Sequence, residues 1–259
     1  MNISLLALEF PPVSHLLEWP DFALKGNEYL AFNKIALLSI LAMVLSLAVF
    51  WFGVRKAGLV PSRGQTIAES VVEFVRENVV MQTMGASGLS WMPFLTSVFL
   101  FIFFCNIFEI IPGIQMPVTA RMAIPATLAL LVWVLYNAVG IKKQGLGGYL
   151  KSSLLPPGVP KALLPLVMLI EFVSTFLIRP FSLAVRLFAN MLAGHLLLVT
   201  FAVLTAAVWS ATPLAIIVPV TFVTLVALTL FEVLVAVLQA FIFTILTAVY
   251  INLASHADH

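Results

Sequence analysis

Charge is the scarcest thing in this sequence. Asp, Glu, Lys and Arg make up 9% of its 259 residues, against roughly 25% in a typical soluble domain. With 62% hydrophobic residues and a mean hydropathy of +1.13, the chain has too little polar side chain to coat a water-soluble globule. A soluble enzyme, a disordered tail and a nucleic-acid binder of the basic-patch kind are excluded. Cysteine is almost missing: Cys105 stands alone, which rules out an internal disulfide framework and a Cys-rich metal site. Its Phe-Phe-Cys-Asn setting reads as a small buried hydrophobe. Aspartate occurs only at Asp21 and Asp258, so there is no Asp-rich motif for magnesium diphosphate chemistry. Walker loops, His-Glu-x-x-His and Gly-x-Ser-x-Gly are absent too, and a membrane enzyme has little support. The net charge of +2 nominates no acidic partner. What remains is an integral membrane protein.

Its architecture is written in the gaps between charges. Residues 35–54 carry none between Lys34 and Arg55, and twenty residues at ~1.5 Å each span about one hydrocarbon core. Residues 91–108, ending at Glu109 and Pro112-Gly113, form a second candidate, and 122–141 a third. Gly145-Leu-Gly-Gly148 is a loop signal. Residues 162–208 and 214–254, separated by a turn signal at Pro213, would each be roughly 60–70 Å long as single helices, about twice the core thickness. Each is therefore two shorter segments, a strongly tilted helix, or a helix running beyond the lipid, with Pro180 and Pro219 as candidate kinks. Residues 64–80 differ: Glu69, Glu73, Arg76 and Glu77 share one side, with Ile67, Val71, Phe74 and Val75 on the other. That is an amphipathic helix, too charged to span and suited to the membrane surface.

These elements compose an all-α integral membrane protein forming one domain over 1–259. It has an outer amino-terminal segment (1–33), a first span (34–54), a surface helix (64–85), a helical hairpin (91–141) and a long helix pair (162–254). The start of the chain, without a basic region and broken at Glu9 and Pro11-Pro12, does not resemble a cleaved signal peptide. With the amino terminus outside, Arg55, Lys56, Arg63, Arg76, Lys142, Lys143, Lys151 and Lys161 fall inside, and only Lys25, Lys34 and Arg121 outside. No internal repeat marks an inverted-repeat transporter.

Ionisable groups within apolar runs cost roughly 2.5–3.5 kcal/mol each by insertion scales and are functional candidates by default. Here they are Glu109, Glu171, Arg179, Arg186, His195 and Glu232. Arginine keeps its proton, so Arg186 cannot relay one; it can block direct passage of protons and draw a nearby carboxylate toward its charged form. A structural ion pair with Glu171 or Glu232 is the plainer role. Asn190 lies one turn on, ~40° around the same face. His195 is nine residues from Arg186, ~180° around the helix and about 13 Å along it, and titrates in the range a proton carrier needs. A hydrogen-bonded core histidine is its plainer role. Glu232 and Gln239, with Tyr250 close behind, form a polar stripe that lines water or bonds a partner helix. Glu109, with Asn106 one turn before it, sits at the outer end of the second span, as a channel mouth or an interfacial acid. Arg179 next to Pro180 reads as a snorkelling side chain. Glu171 lies 24 residues before His195, and acids at two depths with an arginine between them point to two half-paths rather than one pore.

The stretch Ser182-Leu-Ala-Val-Arg186-Leu-Phe-Ala-Asn190-Met-Leu-Ala-Gly194-His195 resembles the signature of subunit a of F-type ATP synthases. Glu232-Val-Leu-Val-Ala-Val-Leu-Gln239, Phe104-Cys-Asn106-Ile-Phe-Glu109 and Glu171-Phe-Val-Ser-Thr extend the likeness over most of the chain from about residue 33. The resemblance implies a non-catalytic, proton-translocating stator subunit without cofactor or metal. Its partners would be a rotating c-subunit ring, b-type peripheral stalk subunits and membrane lipid, with no nucleic acid. The last two helices would be long, tilted and wrapped along the ring. Arg186 matches the arginine facing the ring's carboxylate. His195 and Glu232 match the polar pair of the outer half-channel, with Asn190 and Gln239 nearby, in the mitochondrial rather than the exchanged bacterial arrangement. Glu171 matches an acid of the inner half-channel, and Asn106 and Glu109 fall at the outer entrance. The amino terminus and Arg-Leu-Phe-Ala-Asn resemble bacterial members, implying a bacterial plasma membrane rather than a mitochondrial inner membrane. Two other classes are a standalone proton or cation transporter, which needs its own cycling carboxylate and conducts without partners, and a structural scaffold, which tolerates loss of Arg186. If His195 and Glu232 work as a pair, exchanging them preserves part of the proton conduction lost on replacing either alone, measured in membrane vesicles.

Overall fold

The computed structural model describes residues 33–54, 63–111, 113–155, 160, 163–209 and 216–255. The segment 1–32, Arg55, Lys56, Pro112, Lys161, Pro213 and Asp258 lie outside them. Among the described residues the regular structure is entirely helical, and five helices are long and apolar enough to cross a membrane. Helix α1, Lys34–Val54, starts at Asn33, whose side-chain oxygen accepts the backbone N–H of Ala36 at 3.0 Å as an N-cap. It buries Ile35, Leu38, Ala42 and Ser46 on one stripe and leaves Leu37, Leu41, Val44 and Leu47 uncovered. An apolar surface all round suits a helix set in lipid.

Helix α2, Arg63–Val75, carries the charged face but does not stop at its last α-helical residue. It continues through a wider π turn, Arg76–Val80, to Met81–Thr83. The extra residue in that turn brings both Val79 and Val80 inward. The protein-facing stripe is Gln65, Ala68, Val75, Val79 and Val80, whereas Ile67, expected on the apolar side, is 63% exposed. A tight turn, Gly85–Trp91, leads into α3, Met92–Ile107.

Helix α4, Ala123–Leu154, is broken at Gly145, whose φ of 75° and ψ of 162° lie outside the helical region and where glycine alone is at ease. The residues beyond it, expected as loop, are helical. Across the break the Tyr149 hydroxyl donates to Asn137 Oδ1 at 2.9 Å, and the Tyr149 ring lies where a side chain on Gly140 would stand. In a straight helix residues 137 and 149 are about 18 Å apart; the bend at Gly145 brings them together.

Helix α5, Leu164–Phe172, runs through a π segment, Val173–Ile178, directly into α6, Arg179–Val208. Together they make a continuous 45-residue helix, and α7, Val218–Ser255, adds one of 38 residues. At ~1.5 Å per residue these reach about 68 and 57 Å, so two-segment readings fail and the helices tilt or extend past the hydrocarbon. Pro219 is the second residue of α7, where a missing N–H is harmless. Pro180 falls in mid-helix. In the π register Arg179 N–H bonds the Ser174 carbonyl, so the next carbonyl, Thr175, would bond residue 180, which has no N–H. The buried hydroxyl of Tyr136 on α4 fills that place, donating to Thr175 O at 2.8 Å.

The core gathers α3, α4, α6 and α7 around Leu95, Ile102, Val132, Tyr136, Leu187 and Ile251. Buried Ala236, Ala240, Thr244 and Ala248 recur every fourth residue on α7, letting neighbouring backbones approach closely. Tyr136→Phe removes the hydroxyl that serves Thr175 and is expected to lower stability by about 1–3 kcal/mol, the cost of an orphaned buried carbonyl. Thermal unfolding of the purified protein in detergent measures it; an unchanged midpoint refutes that role.

Candidate functional site

The polar groups gather where α3 ends. Asn106 is in its last turn, and Glu109 follows in a turn closed by its N–H to the Asn106 carbonyl at 3.2 Å. The chain then passes Gly113 and Gln115, both at positive φ (89° and 39°), and returns as a short turn, Val118–Ala120, buried against α6. The Thr119 hydroxyl donates to Asn106 Oδ1 at 2.6 Å. From α6, His195 brings Nδ1 to 3.7 Å from Glu109 Oε1. This is too long for a hydrogen bond and short enough for an ion pair when the imidazole is protonated. The resemblance couples His195 with Glu232, but the carboxylate facing Nδ1 is that of Glu109.

Glu232 enters from α7. Asn106, Glu109, His195 and Glu232 are 0, 3, 5 and 4% exposed, and Glu232 is within electrostatic reach of Glu109. Asn106 Nδ2, Glu109 Oε1 and Glu232 Oε2 are buried without a hydrogen-bond partner. Buried polar atoms are normally satisfied, and three orphaned ones at the end of α3, in the turn after it and on α7 set this place apart from the apolar core. Gln239, seven residues on, continues the buried face of α7 about 10 Å farther along.

Arg186 lies elsewhere. It is exposed on the opposite side of α6 from His195, together with Asn190, and it makes no hydrogen bond or ion pair with any described residue. The structural pairs with Glu171 or Glu232 do not form. The uncovered stripe around it carries Ala189, Ala193 and Leu197, small near the charge and apolar beyond it. Glu171, half-buried on α5, is 15 residues before Arg186, about 22 Å along the helix, and remote from the acid cluster. Arg179, partly buried, stacks over the Tyr250 ring at 5.6 Å. No three His, Cys, Asp or Glu side chains converge as a metal site among the described residues.

Two residues of the site were not foreseen. Thr119 carried no signal, since nothing in Met-Pro-Val-Thr-Ala-Arg brings it to Asn106. Gly194 did carry one: glycine inside a helix costs about 0.5–1 kcal/mol relative to alanine and calls for a packing reason. The reason is Glu232, both of whose carboxylate oxygens lie 2.5 Å from where a Gly194 Cβ would stand. Gly194→Ala is therefore expected to displace the carboxylate and reduce passive proton conduction by about 10- to 100-fold, as ångström-scale misplacement does elsewhere. Conduction equal to wild type would show that Glu232 need not sit there.

With this geometry in place, comparison with known proteins is direct. The family described as ATP synthase A chain matches residues 36–252. ATP synthase subunit a of Parafrankia sp. is 41% identical over 254 residues, covering 96% of this chain and 85% of that one. The same subunit of Rhodococcus erythropolis is 43% identical over 236 residues, with 87% and 83% covered. That of Maricaulis maris is 40% identical over 240 residues, with 89% and 91% covered. All three sources are bacteria, and with five membrane-length apolar helices the chain is a multi-pass protein of the bacterial plasma membrane. It belongs to the ATP synthase subunit a family, the proton-translocating subunit of the synthase's membrane sector.

Proposed function

We propose that this chain performs no catalysis itself and carries two proton half-paths to a ring of c subunits, coupling proton flow to ATP synthesis. One observation carries the reading: a single helix, α6, holds Arg186 on an uncovered face and His195 on the opposite face inside a buried acid cluster. A proton entering at the end assigned to the outside passes Asn106, Glu109, His195 and Glu232, with Gln239 extending the polar face. It then neutralises a carboxyl group on the ring. The neutral acid can enter lipid, whereas the charged form cannot cheaply. After rotation the acid reaches the side of Glu171 and releases its proton there. Arg186 keeps the paths apart and attracts the deprotonated acid, with Asn190 one turn away orienting it.

The small side chains of Ala189 and Ala193 support a ring helix at that face, because small residues allow close helix approach in lipid. A groove of about 790 Å³ lined by Phe50, Thr66, Glu69, Glu73, Phe74 and Glu77 is where we place a b-type stalk helix. Both partners are testable by purifying the assembled complex and identifying its subunits.

In vesicles carrying the whole complex, Arg186→Ala is expected to abolish ATP synthesis driven by a proton gradient; retained coupling would overturn the role of Arg186. Glu232→Gln, which cannot accept a proton, is expected to slow passive proton conduction about tenfold or more, in line with general acid–base contributions. An unchanged rate removes Glu232 from the path. The chain alone in liposomes is expected not to conduct, since its carboxylates are fixed; conduction without partners would favour a standalone transporter.

A further inference from the structure

We infer that Thr119 is a positioning residue of the outer path, acting through the side chain of Asn106. The inference rests on the proposed role of the Asn106–Glu109–His195–Glu232 cluster and adds to it a residue on a different element. Among the described residues, many helical Ser and Thr hydroxyls turn back on carbonyls of their own helix: Ser46 to Ala42 O, Thr96 to Met92 O, Thr205 to Phe201 O, Thr244 to Ala240 O and Thr247 to Phe243 O; Ser152 donates to the Gln144 side chain, but within the same helix, α4. The bonds to carbonyls satisfy the hydroxyl and position nothing else. Thr119 is different. It sits fully buried outside the long helices and spends its proton on a side chain, Asn106 Oδ1, at 2.6 Å.

The consequence is chemical. A carboxamide offers an acceptor on one edge and two donors on the other, and a half-turn exchanges them. With the Thr119 hydroxyl donating to Oδ1 at 2.6 Å, this orientation is favoured over the exchanged one, in which the hydroxyl would have to turn and accept from Nδ2. The N–H₂ edge is then turned away from Thr119, buried and without a protein partner, one helical turn from Glu109. A fixed donor there defines the orientation of whatever accepts from it, the Glu109 carboxylate or a water that carries the proton. A freely flipping amide would present donor and acceptor by turns and interrupt the relay.

The backbone around Thr119 is built to hold it. Gln115 is the one non-glycine at positive φ among the described residues, at 39°, a conformation that persists only where the surroundings over-determine it. The Lys34 ammonium donates to the Ile114 carbonyl at 2.8 Å, tying the loop to the start of α1. Met116, Val118 and Ala120 are all buried around the threonine.

The test uses membrane vesicles containing the whole complex, with passive proton conduction and ATP-driven proton pumping as readouts. Thr119→Val keeps shape and removes the hydroxyl; Thr119→Ser keeps the hydroxyl and removes a methyl. The expected result is a loss of about tenfold in conduction for Thr119→Val and a rate near wild type for Thr119→Ser, with equal assembly; the Asn106 Oδ1 orphaned in Thr119→Val lowers its thermal midpoint without unfolding it. Thr119→Ala, expected to match Thr119→Val, serves if the valine variant does not assemble. Wild-type conduction in Thr119→Val overturns the inference, as does a Thr119→Ser rate as low as that of Thr119→Val, which would assign the effect to packing. Asn106→Leu, measured alongside, separates the levels. If it impairs conduction while Thr119→Val does not, only the inference about Thr119 fails. If neither has an effect, the outer-path reading fails at Asn106 as well.

Discussion

A polar atom inside a membrane protein has no bulk water to fall back on, and most of this structure follows from that constraint. Backbone groups meet it by forming helices throughout the described spans. Hydroxyls meet it by returning to their own helix, as Ser39 does to the Ile35 carbonyl at 2.8 Å. Where a helix cannot close its own account, another element must. Pro180 and the π segment before it leave the Thr175 carbonyl without an amide, and Tyr136 on a different helix supplies the donor. The same tyrosine packs its ring 5.9 Å from Tyr250, so satisfying one carbonyl also fixes how α4 and α7 meet.

Against that background the few polar atoms left without a partner stand out. Those of Asn106, Glu109 and Glu232 come from the end of α3, the turn after it and α7, and the Glu109 carboxylate faces an imidazole from α6. They cost stability, and the proposed role in proton exchange requires groups that can gain and lose partners. Gly194 shows the backbone adapting to this site, since any side chain there would displace the Glu232 carboxylate. Arg186 obeys the opposite logic. Its charge is left uncovered on an apolar face, a costly position for an isolated chain and a sensible one for a subunit of a larger complex.

Much of the fold was legible in advance, because crossing a membrane demands long charge-free runs and those can be counted. The gap from Lys34 to Arg55 foreshadowed α1, and the two long apolar stretches became the 45- and 38-residue helices. Local irregularities were less visible. Neither π segment announces itself, since a single extra residue in a helical pattern leaves hydrophobic periodicity almost unchanged. Ile67 lies opposite the charges of α2, as expected, but is not covered by protein, because the buried stripe is narrow and set by what α1 and α3 offer. Gly145 was visible as a break, but that residues 146–154 continue as helix depended on Tyr149 finding Asn137.

By itself, the amino-acid sequence determined that this is a membrane-embedded helical protein and which ionisable residues sit inside it. It also set Arg186 and His195 on opposite sides of one helix. Those results depend on composition and on helical geometry, which are local. Only the tertiary structure decided that His195 faces Glu109, that Glu232 rests on Gly194, and that Thr119 holds Asn106. Each of these meetings joins residues from different elements, and helix rotation and loop closure bring them together only when all the helices pack.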